Sequence, residues 1–379
     1  MGPFQGESTR TSSNCAYSFE RHYYTSNQLF EQSLDIYRPQ QQQHERGSPT
    51  PLVVLVVGSA WLGHQPIIYI GTNWWNSSLS KTIAKLGYTC VCIRHRGSFP
   101  RFKGIEIIGA VIAVITALLS PVYSNGGSSW QTTVTTLLTL LMVWLALVLA
   151  SRGAAKFDDM VDDVALALQW IQQYRAKEQE GARRPRMIFG GYSSGAHVAA
   201  TLLAQPVERW TSRGLPPPTD FIDTILLVSG VLATQSRPLD PPFKNIQFEW
   251  FTTWIVRVVF GTAAPGEMPP SPLYLTKPRL PHVLIACQQE LIFEGLKPLG
   301  EILFCSEFYA NSLHSSQTPA RLLLLPRVNH WTILNSPEFK ATVGTELERI
   351  IADTATTTNA KPKVCAQMAG LLQSSKMGN

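Results

Sequence analysis

The residues with the clearest chemical potential lie in the segment Gly191-Tyr192-Ser193-Ser194-Gly195, which has the pattern G-x-S-x-G. A short apolar run at 187–189 precedes it, and a run of small residues at 196–204 follows it. A strand, a sharp turn and a helix in this order favour a nucleophile elbow. Gly191 and Gly195 lie two residues either side of the serine, where side chains would collide on so tight a turn. The pattern therefore predicts that Ser193 is a nucleophile.

A serine hydroxyl needs a base within hydrogen-bonding distance to attack at neutral pH. When the chain order is serine, acid, histidine, the base follows the last strand of the sheet. His330 lies just after the apolar run at 321–325 and is the predicted base. His197, four residues after Ser193, is expected to pack or to support the site.

A carboxylate that orients the histidine is expected after the preceding strand, which is predicted at 282–286. Glu290 is the carboxylate in the turn that follows this run, and Glu294 lies one helical turn further on. Either Glu or Asp can hold an imidazolium. We therefore predict a triad of Ser193, Glu290 and His330, with Glu294 as the alternative acid.

Acyl transfer also requires hydrogen-bond donors for the negative charge that develops on the carbonyl oxygen. The backbone N–H of Ser194, directly after the nucleophile, is one expected donor. The backbone N–H groups of Ser59 and Ala60, which follow the apolar run at 52–57, are the others. The alternative for 58–60 is an ordinary tight turn.

The elements that must position these residues alternate along the chain. Continuous apolar runs typical of buried strands alternate with helix-like stretches, which predicts an α/β fold with a mostly parallel sheet and helices on both faces. Strands are predicted at 34–39, 52–57, 88–94, 187–189, 224–228, 282–286 and 321–325, and helices at 76–86, 157–171, 196–204, 301–313 and 338–351.

The predicted core falls into two parts, residues 30–103 and 152–352. Residues 1–29 are expected to be a disordered N-terminus, and residues 353–379 a flexible tail. Residues 104–151 separate the two parts of the core and have a different composition.

This insertion contains two uncharged apolar runs, 107–122 and 132–150, joined by a short Gly/Ser/Asn turn. A membrane span needs about 20 apolar residues, so the second run is long enough and the first is marginal. Basic residues flank the pair on both outer sides, which places the catalytic domain on the cytosolic side of a membrane. The alternative is an apolar helical cap that folds over the site. Either arrangement favours an apolar small-molecule substrate.

Composition limits the possible partners. The chain has a net charge of +6, is 45% hydrophobic and has only 15% charged residues. No Lys/Arg run of the kind that binds nucleic acid is present, so no nucleic-acid partner is expected. Cys90, Cys92 and Cys287 lie in strand-like runs, which favours buried free thiols in a reducing compartment. The Cys90-Val91-Cys92 pair lacks a second ligand pair, so no metal site is predicted.

Several segments together resemble a known family. Residues 58–61, 94–100, 156–160 and 191–197 are similar to the isoprenylcysteine methylesterase-like branch of the α/β-hydrolases, a group related to kynurenine formamidases and hormone-sensitive-lipase-like carboxylesterases. The resemblance implies an α/β-hydrolase fold and an ester or amide hydrolase without a metal or organic cofactor. The chain departs from the family pattern where Ser59 replaces a glycine of the oxyanion loop and where Glu290 replaces the usual aspartate.

We predict a membrane-associated serine hydrolase that cleaves a carboxylic ester of an apolar small molecule through an acyl-enzyme. Three alternatives remain open: an arylformamidase-type amide hydrolase, an acyltransferase or lactonising enzyme of a biosynthetic pathway, and a catalytically inactive hydrolase-like binding module.

Overall fold

The computed structural model describes residues 16–40, 51–64, 78–98, 155–178, 187–232, 270–288, 300–330 and 332–360, together with positions 136 and 138. These residues contain the strands, the helices and most of the predicted site.

Eight strands in the described residues form one sheet. They are β1 (Tyr17–Tyr23), β2 (Ser33–Pro39), β3 (Leu52–Val56), β4 (Thr89–Ile93), β5 (Met187–Tyr192), β6 (Thr224–Val228), β7 (His282–Cys287) and β8 (Ala320–Leu325). Their order across the sheet is β1-β2-β4-β3-β5-β6-β7-β8. The β1–β2 and β2–β4 pairs are antiparallel, and all other pairs are parallel. The predicted mostly parallel sheet is confirmed.

Helices pack on both faces of this sheet, as predicted. The helical residues are 78–85 (α1), Phe157–Glu178 (α2), Ser194–Leu203 (α3), Val207–Ser212 (α4), Gly300–Ser315 (α5) and Pro337–Ala360 (α6). Alternate residues of β3 point to opposite faces. Val54 and Val56 belong to a core with α2 and α3, whereas Val53 and Leu55 belong to a core with α1 and α6.

The N-terminal prediction of disorder over 1–29 is wrong for residues 17–23, which form β1. This edge strand has no continuous apolar run, because its aromatic residues are mixed with polar and charged ones. Phe19 packs against Tyr37 of β2 with ring centroids 5.2 Å apart, and Arg21 Nε donates to Asp35 at 2.8 Å. These cross-strand pairs hold the edge without a continuous apolar run.

The C-terminal prediction of a flexible tail from residue 353 is wrong for the first turns of that segment, because α6 continues to Ala360. No proline or glycine interrupts the chain between Asp353 and Ala360. Arg349 pairs with Asp353 one turn along the helix, which supports its continuation.

The predicted apolar hairpin, 107–122 and 132–150, lies outside the described residues. The exceptions are Thr136 and Leu138, which are both helical and exposed. Among the helices that the structure describes, none has the combination of length and apolar composition needed for a membrane crossing.

The cysteines predicted to be buried in strands are free thiols in the structure. Cys90, Cys92 and Cys287 are buried and unbridged, as is Cys305 in α5.

Candidate active site

The predicted nucleophile lies on a strained turn between β5 and α3. Ser193 has a φ of 55° and a ψ of −125°, a conformation that non-glycine residues rarely adopt. A Cβ atom on Gly191 would lie 2.6 Å from the carbonyl oxygen of Gly195, and one on Gly195 would lie 2.3 Å from the carbonyl oxygen of Val56. Both glycines are therefore required by space, which is the elbow geometry that the sequence pattern predicts.

The predicted base meets the predicted nucleophile. His330 Nε2 lies 2.9 Å from Ser193 Oγ, although 137 positions separate the two residues in the chain. His330 follows β8 and is only 2% exposed. A hydroxyl and an imidazole at this distance can exchange a proton directly.

Tyr192, which sequence analysis did not single out, holds His330 in place. Its ring stacks on the imidazole with centroids 5.2 Å apart, and its hydroxyl donates to the carbonyl oxygen of His330. Tyr192, the residue before Ser193, thus fixes both the ring and the backbone of His330. The only sequence signal was the position of an aromatic residue inside the elbow.

The predicted acid Glu290 and its alternative Glu294 both lie outside the described residues. The strand before them does end beside β8, because the N–H of Gln288 donates to the carbonyl oxygen of Leu325 at 2.9 Å. The assignment of Glu290 stays a prediction.

The predicted oxyanion loop passes directly beside the nucleophile. A Cβ atom on Gly58 would lie 2.9 Å from Ser193 Cβ and 2.7 Å from the carbonyl oxygen of Tyr192. Ala60 and Trp61 follow with φ values of 51° and 61°. Two successive left-handed residues cost about 1–3 kcal/mol each and persist only where their surroundings hold them.

The three predicted oxyanion donors differ in their present partners. The Ser59 N–H already donates to Ser194 Oγ, at 2.9 Å. Among the described residues, the N–H groups of Ala60 and Ser194 have no protein acceptor. Those two N–H groups can donate to a ligand oxygen as they stand, whereas the Ser59 N–H already donates to Ser194 Oγ.

A buried contact between Trp61 and His197 holds the loop. Trp61 Nε1 donates to His197 Nδ1 at 2.9 Å, and His197 Nε2 donates to the carbonyl oxygen of Pro270 at 2.7 Å. Phe157 stacks on the imidazole at 4.6 Å. Burial lowers the pKa of His197 to about 4, so the ring is neutral with its proton on Nε2. His197 therefore supports the oxyanion loop, in line with the expectation from sequence.

The far side of the loop is tied to the segment after β4. The N–H and the hydroxyl of Ser98 both donate to the carbonyl oxygen of Trp61, at 2.9 and 3.0 Å. His64 and His95 pack edge-on at 4.9 Å behind this contact, and burial lowers the pKa of both. The side chain of Trp61 is thus held by His197 and its backbone carbonyl by Ser98.

This combination of strand order, an elbow serine after β5 and a histidine after β8 defines the α/β-hydrolase fold. Comparison with known proteins agrees at the level of fold. No family model matches the chain, and no curated protein matches it.

Several solved structures that resemble it are esterases. Esterase B from Lactobacillus rhamnosis (HN001) has a TM-score of 0.57 at 14% identity, covering 91% of this chain and 89% of the esterase. A structure of esterase B with a tributyrin phosphonate inhibitor gives a TM-score of 0.56 at 13% identity, with coverages of 91% and 89%. Carboxyl esterase 2 from the mycorrhizal fungus Tuber melanosporum gives 0.51 at 11% identity, with coverages of 91% and 88%. At this identity the likeness shows a shared fold.

Proposed function

We propose that the chain is a serine hydrolase that cleaves a carboxylic ester. The observation that carries this proposal is the 2.9 Å contact between Ser193 Oγ and His330 Nε2 on a strained, glycine-flanked elbow. The fold shared with esterases supports it.

The reaction would proceed through an acyl-enzyme. His330 Nε2 takes the Ser193 proton as the serine oxygen attacks the ester carbonyl carbon, and the carbonyl π pair moves to the oxygen. The N–H groups of Ala60 and Ser194 stabilise that oxyanion. Collapse breaks the bond to the alkoxide, which takes the proton from His330. Water then repeats the sequence on the acyl-enzyme, and Glu290 would orient His330 throughout.

The substrate proposal is an apolar small-molecule ester taken up beside a membrane. The insertion follows β4, and β3 pairs in parallel with both β4 and β5. The carboxyl ends of these strands therefore share the sheet edge at which Ser193 lies. In the chain, the runs 107–122 and 132–150 lie between β4 and α2 and supply uncharged, apolar sequence. The buried free thiols support a catalytic domain on the cytosolic side.

Labelling with a fluorescent fluorophosphonate tests the nucleophile and the base. Wild type is expected to react, Ser193→Ala to lose all labelling and His330→Ala to lose most of it. Ser212→Ala and His314→Ala, two exposed positions away from the site, serve as matched controls. Labelling that survives Ser193→Ala would show that the nucleophile is elsewhere.

The substrate class needs a separate assay. Nitrophenyl esters of increasing acyl length are expected to be cleaved, with a preference for longer chains, and formyl-anilides to be cleaved poorly. A preference for formyl-anilides would point instead to the arylformamidase alternative.

Membrane association is tested by carbonate extraction of the expressed protein. The full chain is expected in the membrane pellet, and a variant lacking 104–151 in the supernatant. Release of the full chain by carbonate would contradict the membrane proposal and favour a cap.

A further inference from the structure

The side-chain hydroxyl of Ser194 joins the elbow to the oxyanion loop. Ser194 is the first residue of α3 and is 1% exposed. Its Oγ accepts the N–H of Ser59 at 2.9 Å. Within the part of the chain that the structure describes, this is its hydrogen bond, and its own proton has no acceptor.

This contact changes which group can serve as the oxyanion donor. A backbone N–H makes one good hydrogen bond, so the Ser59 N–H cannot serve a ligand oxygen while it donates to Ser194. A hydroxyl, however, accepts and donates at the same time. Accepting a hydrogen bond also strengthens the bond that the hydroxyl donates. While it accepts the Ser59 N–H, the Ser194 hydroxyl can therefore donate to a ligand oxygen in place of that N–H.

This donor lies at the reacting centre. Ser194 is the chain neighbour of Ser193, and the Gly58–Ser59 turn passes close to the Ser193 side chain, because a Cβ added to Gly58 would lie only 2.9 Å from Ser193 Cβ. The Ser194 hydroxyl thus bridges the elbow and the oxyanion loop. A buried donor without a partner at this point matches an oxygen that is negatively charged only during the reaction.

We propose that the Ser194 hydroxyl donates to the oxyanion in place of the Ser59 N–H, beside the N–H groups of Ala60 and Ser194. The inference rests on the proposed function. As Ser193 Oγ bonds to the carbonyl carbon, its proton passes to His330 and the carbonyl π pair becomes an oxyanion lone pair, which accepts a hydrogen bond from the Ser194 O–H while Ser194 keeps its proton. When the intermediate collapses, that lone pair re-forms the carbonyl and the alkoxide leaves with the His330 proton.

Ser194→Ala tests the proposal because it removes the hydroxyl and keeps the backbone N–H. We expect kcat for a nitrophenyl ester to fall about 100-fold with KM nearly unchanged, the size of effect seen when one oxyanion donor is lost. The affinity of a trifluoromethyl ketone, which forms a tetrahedral oxyanion, is expected to fall in parallel. Ser194→Thr keeps the hydroxyl and is expected to retain most of kcat.

Thr201→Ala is the matched control. Thr201 lies two turns further along α3, is buried, and its hydroxyl has no partner in the described residues. It is expected to leave kcat unchanged. If Ser194→Ala fails to fold, Ser194→Cys decides the question. A thiol is a weaker donor, so an intermediate kcat supports the proposal and a wild-type kcat overturns it.

A Ser194→Ala variant with unchanged or higher kcat would show that the Ser59 N–H is the donor and that Ser194 only competes for it. That result leaves the proposed function intact, provided that wild type is labelled at Ser193. A wild type that neither reacts with fluorophosphonate nor cleaves esters would instead refute the proposed function itself.

Discussion

The contact between Trp61 and His197 should be needed for turnover more than for substrate binding. Trp61→Phe removes the indole N–H and keeps an aromatic ring. His197 Nδ1, fully buried, then loses its donor, and the left-handed residues Ala60 and Trp61 lose one of the bonds that hold them. The oxyanion loop is therefore expected to relax away from the elbow.

The size of the effect follows from these contacts. A buried acceptor left without its partner costs about 1–3 kcal/mol of stability. Misplacement of a catalytic donor by about 1 Å can cost about 100-fold in rate. We therefore expect kcat to fall about 10- to 100-fold in Trp61→Phe, with KM within about twofold of wild type. Urea denaturation and steady-state ester hydrolysis measure the two quantities.

Trp210→Phe is the control that separates the effect of losing the hydrogen bond from the effect of losing ring volume. Trp210 in α4 is also fully buried, but its indole N–H has no partner among the described residues. Its substitution should lower stability through packing alone and leave kcat unchanged. Equal losses of stability in the two variants, or a wild-type kcat in Trp61→Phe, would refute the assignment of His197 as a support for the loop.

Three further outcomes are expected. Burial lowers the pKa of His282 from 6.5 to about 4 in the folded protein. The stability of the fold is therefore unaffected by the titration of this group above about pH 6.5 and decreases progressively as the pH falls from there toward 4. In urea denaturation at several pH values, His282→Gln should therefore lose stability less steeply over this range than wild type does; parallel slopes would contradict the prediction. Asp35→Asn leaves the buried Arg94, whose guanidinium lies 3.0 Å from the Asp35 carboxylate, with an uncompensated charge. The free energy of unfolding should therefore fall by about 3–5 kcal/mol. A fall below about 1 kcal/mol in urea denaturation would show that the pair is solvated. Gly344 lies inside α6, and a Cβ at this position would lie 3.5 Å from the Leu86 side chain, an ordinary contact distance. Gly344→Ala should therefore raise stability by about 1 kcal/mol through the helical preference of alanine. A lower melting temperature would show that the contact is too tight.

The strands that are buried on both faces could be predicted almost to the residue. The apolar run at Thr224–Val228 coincides with β6. The apolar run that predicts β5 ends at residue 189, just before Gly190 and Gly191. In the structure both glycines pair with β6, and a Cβ on Gly190 would lie 1.7 Å from the carbonyl oxygen of Leu226. Close strand approach and a turn both require glycine, so composition alone could not separate them.

The meeting of Ser193 and His330 could be predicted from sequence because their chain order and flanking elements are distinctive. The supporting contacts could not. Trp61 and His197 are 136 positions apart and are joined by one side-chain hydrogen bond, which leaves no periodic pattern. The occupation of the Ser59 N–H by Ser194 depends on a side-chain rotamer, which sequence does not specify.

The position of His330 shows that local contacts, more than the sheet, set its distance from Ser193. β8 lies three strands from β5, which is about 14 Å at ordinary strand spacing. The segment after β8 must therefore carry His330 back across β7 and β6 to reach Ser193. Its anchor at the end of that path is Tyr192, the residue before the nucleophile, which binds the His330 backbone and stacks on its ring. The distance between His330 and Ser193 is thus set by contacts within the elbow, so small movements of the outer strands should change it little. Asp35→Asn, which perturbs the opposite edge of the sheet, should accordingly reduce stability and leave kcat of the folded fraction unchanged.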